Sequence, residues 1–401
     1  LKYIMERMCY WLVGMLFSIP LGFRSLAFIH MKLSKLKAAL WAGLLLRLFV
    51  AIWNGFFGPS FGAEDDALGF HMTAVEYSNN LVLDQFVIGH IYSYLLGVFY
   101  YITTDSLFLG SLLSVAAWFF SALILIWIMR ILTFNKSNQW KVMFIYAMLP
   151  SSILLTSITL RETFQLLFVN LAIYSVLKIY VHKSSIHWLF LICSIVGMGA
   201  LHGALLASGV FVLIATLFLL TFRNRKWISL PKLLLALPVV VLLLYYGFLL
   251  FSNISYNLHN GLVLAIQAHQ EGVIAVEGRA LYRSDVAIDS MFDLATSVPV
   301  FLFQYLFEPM PWRISSSVDV IALMENFLRA WLLWRVLMYF RKIHGQNRKL
   351  IVFVFLSYLV METIWSMGTS NWGTGLRHHL PSIGLLLVAA FFYKGKKGGL
   401  V

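Results

Sequence analysis

The sequence predicts an all-α fold: a polytopic transmembrane helical bundle of about ten or eleven spans, with loops and interfacial helices gathered on its outer face. Three observations carry that expectation. The 401 residues are 61% hydrophobic with a mean hydropathy of +0.83, more apolar side chain than a soluble domain could bury, so the excess faces lipid. Apolar runs recur near the ~20 residues that a helix needs to cross hydrocarbon, and none alternates in the manner of an outer-membrane barrel strand. The formal charge of +13 lies in short Lys/Arg clusters between these runs, which is the pattern of cytoplasmic loops and not of a phosphate-tracking face for nucleic acid. Residues 1–401 read as a single integral membrane domain without repeats or a soluble domain. Cys9 and Cys193 both lie in apolar runs and read as packed thiols, and no zinc spacing occurs.

The elements follow in order. Residues 8–23 form a first span, an interfacial helix or a signal peptide; no small-residue cleavage site supports the last. After Arg24, Lys32, Lys35 and Lys37, residues 38–57 cross outward. Arg47 lies mid-span, where an arginine faces the bundle interior or an aqueous cavity, in a structural or a functional role. Residues 58–106 form the first outer loop. It carries Glu64, Asp65, Asp66, Glu76 and Asp84, and its aromatic run 86–102 lies along the interface. Residues 107–131 cross inward to Arg130, Lys136 and Lys141, and 142–158 return with Pro150 in their outer half. Arg161-Glu162 turns the chain into 163–181, then 187–201 and a turn at His202, then 204–221 and 233–251. Residues 252–316 form a long outer loop with Arg279, Arg283, Asp285, Asp289 and Asp293. It ends in a re-entrant segment at 298–307 followed by Glu308-Pro-Met-Pro-Trp312. Residues 318–340 cross inward, 350–367 return, 368–379 form the last outer loop and 380–393 make the final crossing. This arrangement puts nearly every basic cluster on one side and the carboxylates on the other.

Four outer elements therefore converge: Glu64-Asp65-Asp66, Arg161-Glu162, the 252–298 loop and Arg377-His378-His379. Loops on one face of a rigid bundle are a common place to build a site. An acid there deprotonates a hydroxyl, and an arginine fork stabilises a phosphate leaving group. Each group also has a plainer reading. Acids on an outer loop are often merely solvated. Arg161 and Glu162 can close a turn as a local ion pair. His202 suits a polar helix end, and Arg279 and Arg283 either hold an anion or balance Asp285 and Asp289. Adjacent histidines chelate one ion poorly, so His378 and His379 are read as supporting Arg377 at a headgroup or phosphate.

The arrangement resembles the GT-C superfamily of membrane glycosyltransferases, which use lipid-phosphate-linked sugars. The resemblance runs from the Arg47 span through Gly62-Ala-Glu-Asp-Asp-Ala67 and Ile91-Tyr-Ser-Tyr-Leu-Leu-Gly-Val-Phe-Tyr-Tyr-Ile102. It continues through Leu149-Pro-Ser-Ser152, Leu160-Arg-Glu162 and Gly375-Leu-Arg-His-His-Leu-Pro381. It implies that Asp65 or Asp66 is the acid of the first loop, acting as general base on an acceptor hydroxyl or as a ligand of Mg²⁺ or Mn²⁺. Which of Glu64, Asp65 and Asp66 takes the part stays open. Arg377 would lie near the lipid phosphate, with Arg161 or Arg279 assisting. A triplet stands where many relatives have a pair, and the lack of a soluble carboxy-terminal domain leads away from an oligosaccharyltransferase.

The resulting expectation is an inverting glycosyltransferase in the cytoplasmic membrane of a bacterium, with its site on the exterior. It would move a sugar from a polyprenyl phosphate to a hydroxyl of a lipid-linked glycan, polysaccharide or protein. Two alternatives stand beside it: a polysaccharide polymerase using polyprenyl-pyrophosphate-linked repeat units, and a lipid-linked sugar flippase, for which Arg47 is the main pointer.

Overall fold

The computed structural model describes residues 34–58, 64–81, 88–223, 280–282, 290–340, 342–343 and 345–392. Among these residues regular structure is all helical, apart from an isolated bridge between Leu281 and Asn371. In chain order the helices are α1 (Lys35–Phe56), α2 (Glu64–Asn80), α3 (Ile91–Ile102), α4 (Leu107–Ile131), α5 (Lys136–Met148), α6 (Pro150–Leu155) and α7 (Glu162–His182). They continue as α8 (Ile186–Leu201), α9 (Gly203–Arg223), α10 (Met291–Phe307), α11 (Ser317–Phe340), α12 (Gly345–Gly368), α13 (Trp372–His379) and α14 (Ile383–Phe391). Arg279, Arg283 and the expected spans at 8–23 and 233–251 lie outside the described residues.

Five of these helices are long and apolar enough to cross a membrane: α1, α4, α7, α9 over Gly203–Thr221 and α12 over Asn347–Gly368. Shorter apolar helices occupy Ile91–Ile102, Ile186–Leu201 and Thr296–Phe307. The chain is a multi-pass helical membrane protein, but its long apolar spans among the described residues are fewer than the sequence suggests. The expected spans at 8–23 and 233–251 lie outside the described residues, and the rest of the difference has physical reasons. Some runs are interrupted, and α11, though 24 residues long, carries Asp319, Glu325, Arg329 and Arg335.

α1 shows how the bundle sorts its faces. Leu45, Phe49, Ile52 and Phe56 form an exposed apolar stripe, the lipid-facing one. Leu40, Gly43, Arg47, Ala51 and Asn54 form the buried stripe opposite, at the spacing of a 3.6-residue repeat. That stripe packs on α4 and α5. Gly43 is required there, because a Cβ would lie 2.7 Å from Ala147 Cβ and 3.0 Å from the Trp118 ring.

The run 142–158, expected as one crossing, is broken into α5 and α6. Pro150 has no N–H and biases Leu149 to an extended conformation, which opens the helical ladder. The Ser151 N–H would ordinarily reach Ala147 O, four residues back. The two groups instead find separate partners. Ser151 N donates to Glu325 Oε1 at 2.8 Å and Ser151 Oγ to Glu325 Oε2 at 2.6 Å. Ala147 O accepts from Arg47 NH1 at 2.8 Å. Arg47 also donates to Gly43 O at 3.0 Å, Ser152 Oγ at 2.9 Å and Thr156 Oγ1 at 2.7 Å, and its guanidinium lies 3.7 Å from the centroid of Trp118. The mid-span arginine thus satisfies a broken helix, the condition under which irregular backbone is tolerated at membrane depth.

Other expectations change in detail. The acids at 64–66 open helix α2 and are not on a loop. Residues 298–307 belong to α10, which starts earlier, where Ser290 Oγ accepts from Asp293 N at 3.1 Å. The last outer loop folds partly into α13. The final crossing, expected at 380–393, is made by a turn and the nine-residue α14, whose side chains are all buried against α5, α11 and α12.

The basic ends of several helices meet at one end of the bundle. Asn138 Nδ2 donates to Phe391 O at 2.7 Å, Arg335 Nε to Ala390 O at 3.3 Å, and Lys35 lies over Trp140. The first turns of α2 and α7, the α8–α9 turn and α13 meet at the opposite end.

Candidate functional site

The α2–α3 hairpin carries the acids. Its two helices are drawn together at Gly97, where a Cβ would lie 2.7 Å from Ala74 O. Tyr77 packs on Tyr94 with ring centroids 5.2 Å apart, and His71 Nδ1 is 2.9 Å from Tyr100 OH. The hairpin docks on the head of α7 through Phe70, Tyr92 and Phe164, with centroid separations of 5.2 and 5.6 Å. Asp66 and Phe70 are four residues apart and share one face of α2. Arg161 lies over the Phe70 ring at 5.5 Å.

α13 supplies the facing cations and is fastened at both ends. At its start Asn371 Oδ1 accepts from Gly373 N at 2.7 Å, an ordinary N-cap. Trp372 Nε1 donates to Asp319 Oδ1 at 3.0 Å, while Asp319 Oδ2 accepts from Ser315 N and Ser316 N. The described piece of the long outer loop, residues 280–282, is laid across this start. Trp372 N donates to Ala280 O, Tyr282 N to Ser370 O and Tyr282 OH to Thr369 O. At its other end, His379 Nδ1 lies 2.6 Å from Glu362 Oε2 and His379 Nε2 lies 3.0 Å from Tyr305 O. Ser382 Oγ closes the group on Glu362 Oε1.

Between these anchors Arg377 reaches across to Asp66 and forms an ion pair with it. This contact joins the first turn of α2 to the late α13. Asp65 is exposed, and Glu64 lies at the helix start. His378 stacks on Trp365 with centroids 3.7 Å apart and planes 20° apart, and His202 lies against the same tryptophan at 4.2 Å. Burial, then the neighbouring His202, Arg377, Arg161 and His379, hold the His378 pKa well below the ordinary histidine value. His378 is therefore neutral near pH 7.

The structure thus gathers Asp66, Arg161, His202, Arg377 and His378 at one end of the bundle. It sends His379 inward to Glu362. Arg161 and Glu162 do not close the turn as an ion pair: Arg161 Nε and Glu162 Oε2 are buried without a hydrogen-bond partner among the described residues. Among those residues no group of three or more His, Cys, Asp and Glu side chains converges. With Asp66 held by Arg377, the described donors do not fit a protein-held Mg²⁺ or Mn²⁺.

The residues that sequence reasoning missed are Glu362, Asp319, Glu325, Trp365 and Thr369. A signal existed for the three acids, since a carboxylate inside an apolar run needs a named partner. None existed for Trp365 or Thr369, whose roles arise from the fold.

No protein-family model matches the sequence, and no curated protein does. Two solved structures are similar to the chain at low level. One is the archaeal oligosaccharyltransferase AglB from Archaeoglobus fulgidus in complex with an inhibitory peptide and a dolichol-phosphate, at 12% identity and a TM-score of 0.44, covering 88% of this chain and 50% of that one. The other is the Archaeoglobus fulgidus oligosaccharyltransferase in the apo form, at 12% identity and a TM-score of 0.42, covering 87% and 50%. The chain spans about half the length of each.

Proposed function

We propose that the protein is a membrane glycosyltransferase that moves a sugar from a polyprenyl phosphate to a hydroxyl on a glycan or protein acceptor. Its site would lie at the outer face of a bacterial cytoplasmic membrane. The observation that carries this reading is the contact between Asp66 and Arg377, with Arg161 beside them over Phe70. A carboxylate and two guanidinium groups at the head of an apolar bundle suit the two charges of this reaction. The acceptor oxygen must lose a proton, and a lipid phosphate must leave with the bonding electron pair.

The chemistry follows from those groups. The acceptor oxygen attacks C1 of the donor sugar from the face opposite the phosphate, forming the new C1–O bond as the old C1–O bond to phosphate breaks. The proton passes to the Asp66 carboxylate, and configuration at C1 inverts. Arg377 and Arg161 meet the charge of the departing polyprenyl phosphate through charge-assisted hydrogen bonds. Before donor binds, Arg377 is occupied by Asp66. An arriving phosphate competes for the guanidinium and frees the carboxylate to accept the proton. Asp66 is preferred to Asp65 because it shares a helix face with Phe70 and is the acid that meets Arg377.

The test is binding of polyprenyl phosphate to the purified protein in detergent or nanodiscs. The wild type should bind it, and Arg377→Gln should weaken binding by about tenfold or more, the loss of a bidentate charge-assisted contact. Equal binding by wild type and Arg377→Gln would contradict the reading.

A further inference from the structure

His378 and His379 are neighbours in sequence, yet their rings are held by different partners. Thr369 Oγ1 lies 2.8 Å from Trp365 O and 2.8 Å from His378 Nδ1. A hydroxyl has one proton to give, and a carbonyl can only accept. The Thr369 proton therefore goes to Trp365 O, and His378 Nδ1 must carry the hydrogen that Thr369 accepts. His379 differs: its Nε2 faces the Tyr305 carbonyl at 3.0 Å and must carry a hydrogen, while its Nδ1 shares a proton with Glu362 Oε2 at 2.6 Å.

His378 is fixed in place as well as in tautomer. Its ring is stacked on Trp365, and His202 stands edge-on to it at 6.0 Å. The charged and titratable groups around it come from every side: His202 at the α8–α9 turn, Arg161 at the head of α7, and Arg377 and His379 on its own helix. All of these oppose a positive charge on His378. With Nδ1 protonated and the ring neutral, Nε2 is a bare lone pair. It has no hydrogen-bond partner among the described residues.

We propose that His378 Nε2 is a fixed hydrogen-bond acceptor for a hydroxyl of the sugar substrate, and is not a ligand of the phosphate. The sugar part of this statement rests on the proposed function; the tautomer does not. A phosphate oxygen carries only lone pairs and is repelled by a second lone pair, whereas a sugar hydroxyl has a proton to place there. Arg377 and Arg161 are donors without acceptors. A site made of them alone could hold an anion but could not orient an O–H. The pair Arg377-His378 therefore divides the work: the cation takes the phosphate, and the bare nitrogen reads a hydroxyl. A site built to hydrogen-bond a hydroxyl discriminates strongly against substrates that lack it.

Two measurements on the full chain test this. The first is a nitrogen-15 spectrum of histidine-labelled wild-type protein at pH 7, with the His378 signals assigned by their loss in His378→Asn or His378→Gln. The expected result is a protonated Nδ1 and an unprotonated Nε2; a proton on Nε2, in either the other tautomer or the imidazolium, overturns the proposal. The second is polyprenyl phosphate binding. Arg377→Gln should weaken it about tenfold or more, and His378→Asn by less than about twofold. An equal loss in the two variants would make His378 a phosphate ligand and overturn the proposal. If the wild type binds no polyprenyl phosphate, the proposed function fails and the sugar assignment with it, whatever the spectrum shows.

Discussion

Arg47 and Glu325 each hold one half of the same broken peptide hydrogen bond, and this makes their energetics unusual. Arg47→Met leaves the buried Ala147 carbonyl without its guanidinium donor and removes the contact with Trp118. An orphaned buried backbone group costs about 1–3 kcal/mol. The lost cation–π contact adds about 1–2 kcal/mol. Relief of the desolvated charge offsets part of this, so the variant should lose about 2–4 kcal/mol of stability. Glu325→Leu orphans the Ser151 N–H and strands its hydroxyl, at a similar cost of about 2–4 kcal/mol. Glu325→Gln keeps a carbonyl acceptor for Ser151 N and should lose about 1 kcal/mol or less. In the double variant Arg47→Met/Glu325→Leu, Ser151 N and Ala147 O become each other's partner, and a kinked helix can restore their direct bond. The costs should fall short of additive by about 1 kcal/mol or more. The assay is denaturant unfolding in mixed micelles, followed by tryptophan fluorescence. Strictly additive losses, or a silent Arg47→Met, would refute the account of the broken helix.

Three further outcomes are expected. Gly97→Ala places a Cβ 2.7 Å from the Ala74 carbonyl; it should wedge α2 from α3, lose about 1–3 kcal/mol in thermal unfolding, and reduce transfer by displacing Asp66. His378 should give stability a measurable pH slope. Its folded pKa is held well below the ordinary histidine value by burial first and then by nearby His202 and the arginines, so below about pH 6.5 the unfolded chain takes up the proton before the folded one does. Stability should therefore fall as pH drops from about 6.5 toward the depressed folded value, and the difference between wild type and His378→Asn should shrink by up to about 1.4 kcal/mol per pH unit. Unfolding curves between pH 7.5 and 5 read this, and a parallel pair of curves would contradict it. Glu362→Leu strips His379 and Ser382 of their partner; it should destabilise the protein by about 3 kcal/mol or more and weaken polyprenyl phosphate binding through α13, while Glu362→Gln restores most of the binding. Equal binding in Glu362→Leu and wild type would remove Glu362 from the support of Arg377.

Much of the bundle was readable in the sequence because hydropathy alone sets it. Residues 107–131 were bounded as α4 is, and the runs at 163–181 and 187–201 match α7 and α8 within a residue or so. What failed to read out were the places where tertiary partners override the apolar run. Pro150 was seen, but the break it makes depends on Arg47 and Glu325, which come from distant helices. Residues 380–393 read as a crossing because they are apolar, and the chain does run there from the α13 end to the basic end; what hydropathy does not show is that the helix is short and packed on every side. At the site, the acidic triplet and Arg377-His378 stood out as polar groups beside apolar runs, and the structure joins Asp66 to Arg377. The separate fates of His378 and His379 were not legible. Adjacent helical residues point about 100° apart, and only the positions of Thr369 and Glu362 decide what each ring meets.

The most direct test of the central claim is lipid-linked glycan analysis in cells carrying wild type, Asp66→Ala or Asp65→Ala, with membrane insertion verified. The account predicts that Asp66→Ala cuts transfer by about 10²–10⁴-fold, so that one added sugar disappears and the shorter acceptor accumulates, with a smaller effect of Asp65→Ala. Loss of only long polymer, with single repeat units building up, would point to a polymerase. An unchanged glycan profile in Asp66→Ala at normal protein level would contradict the account.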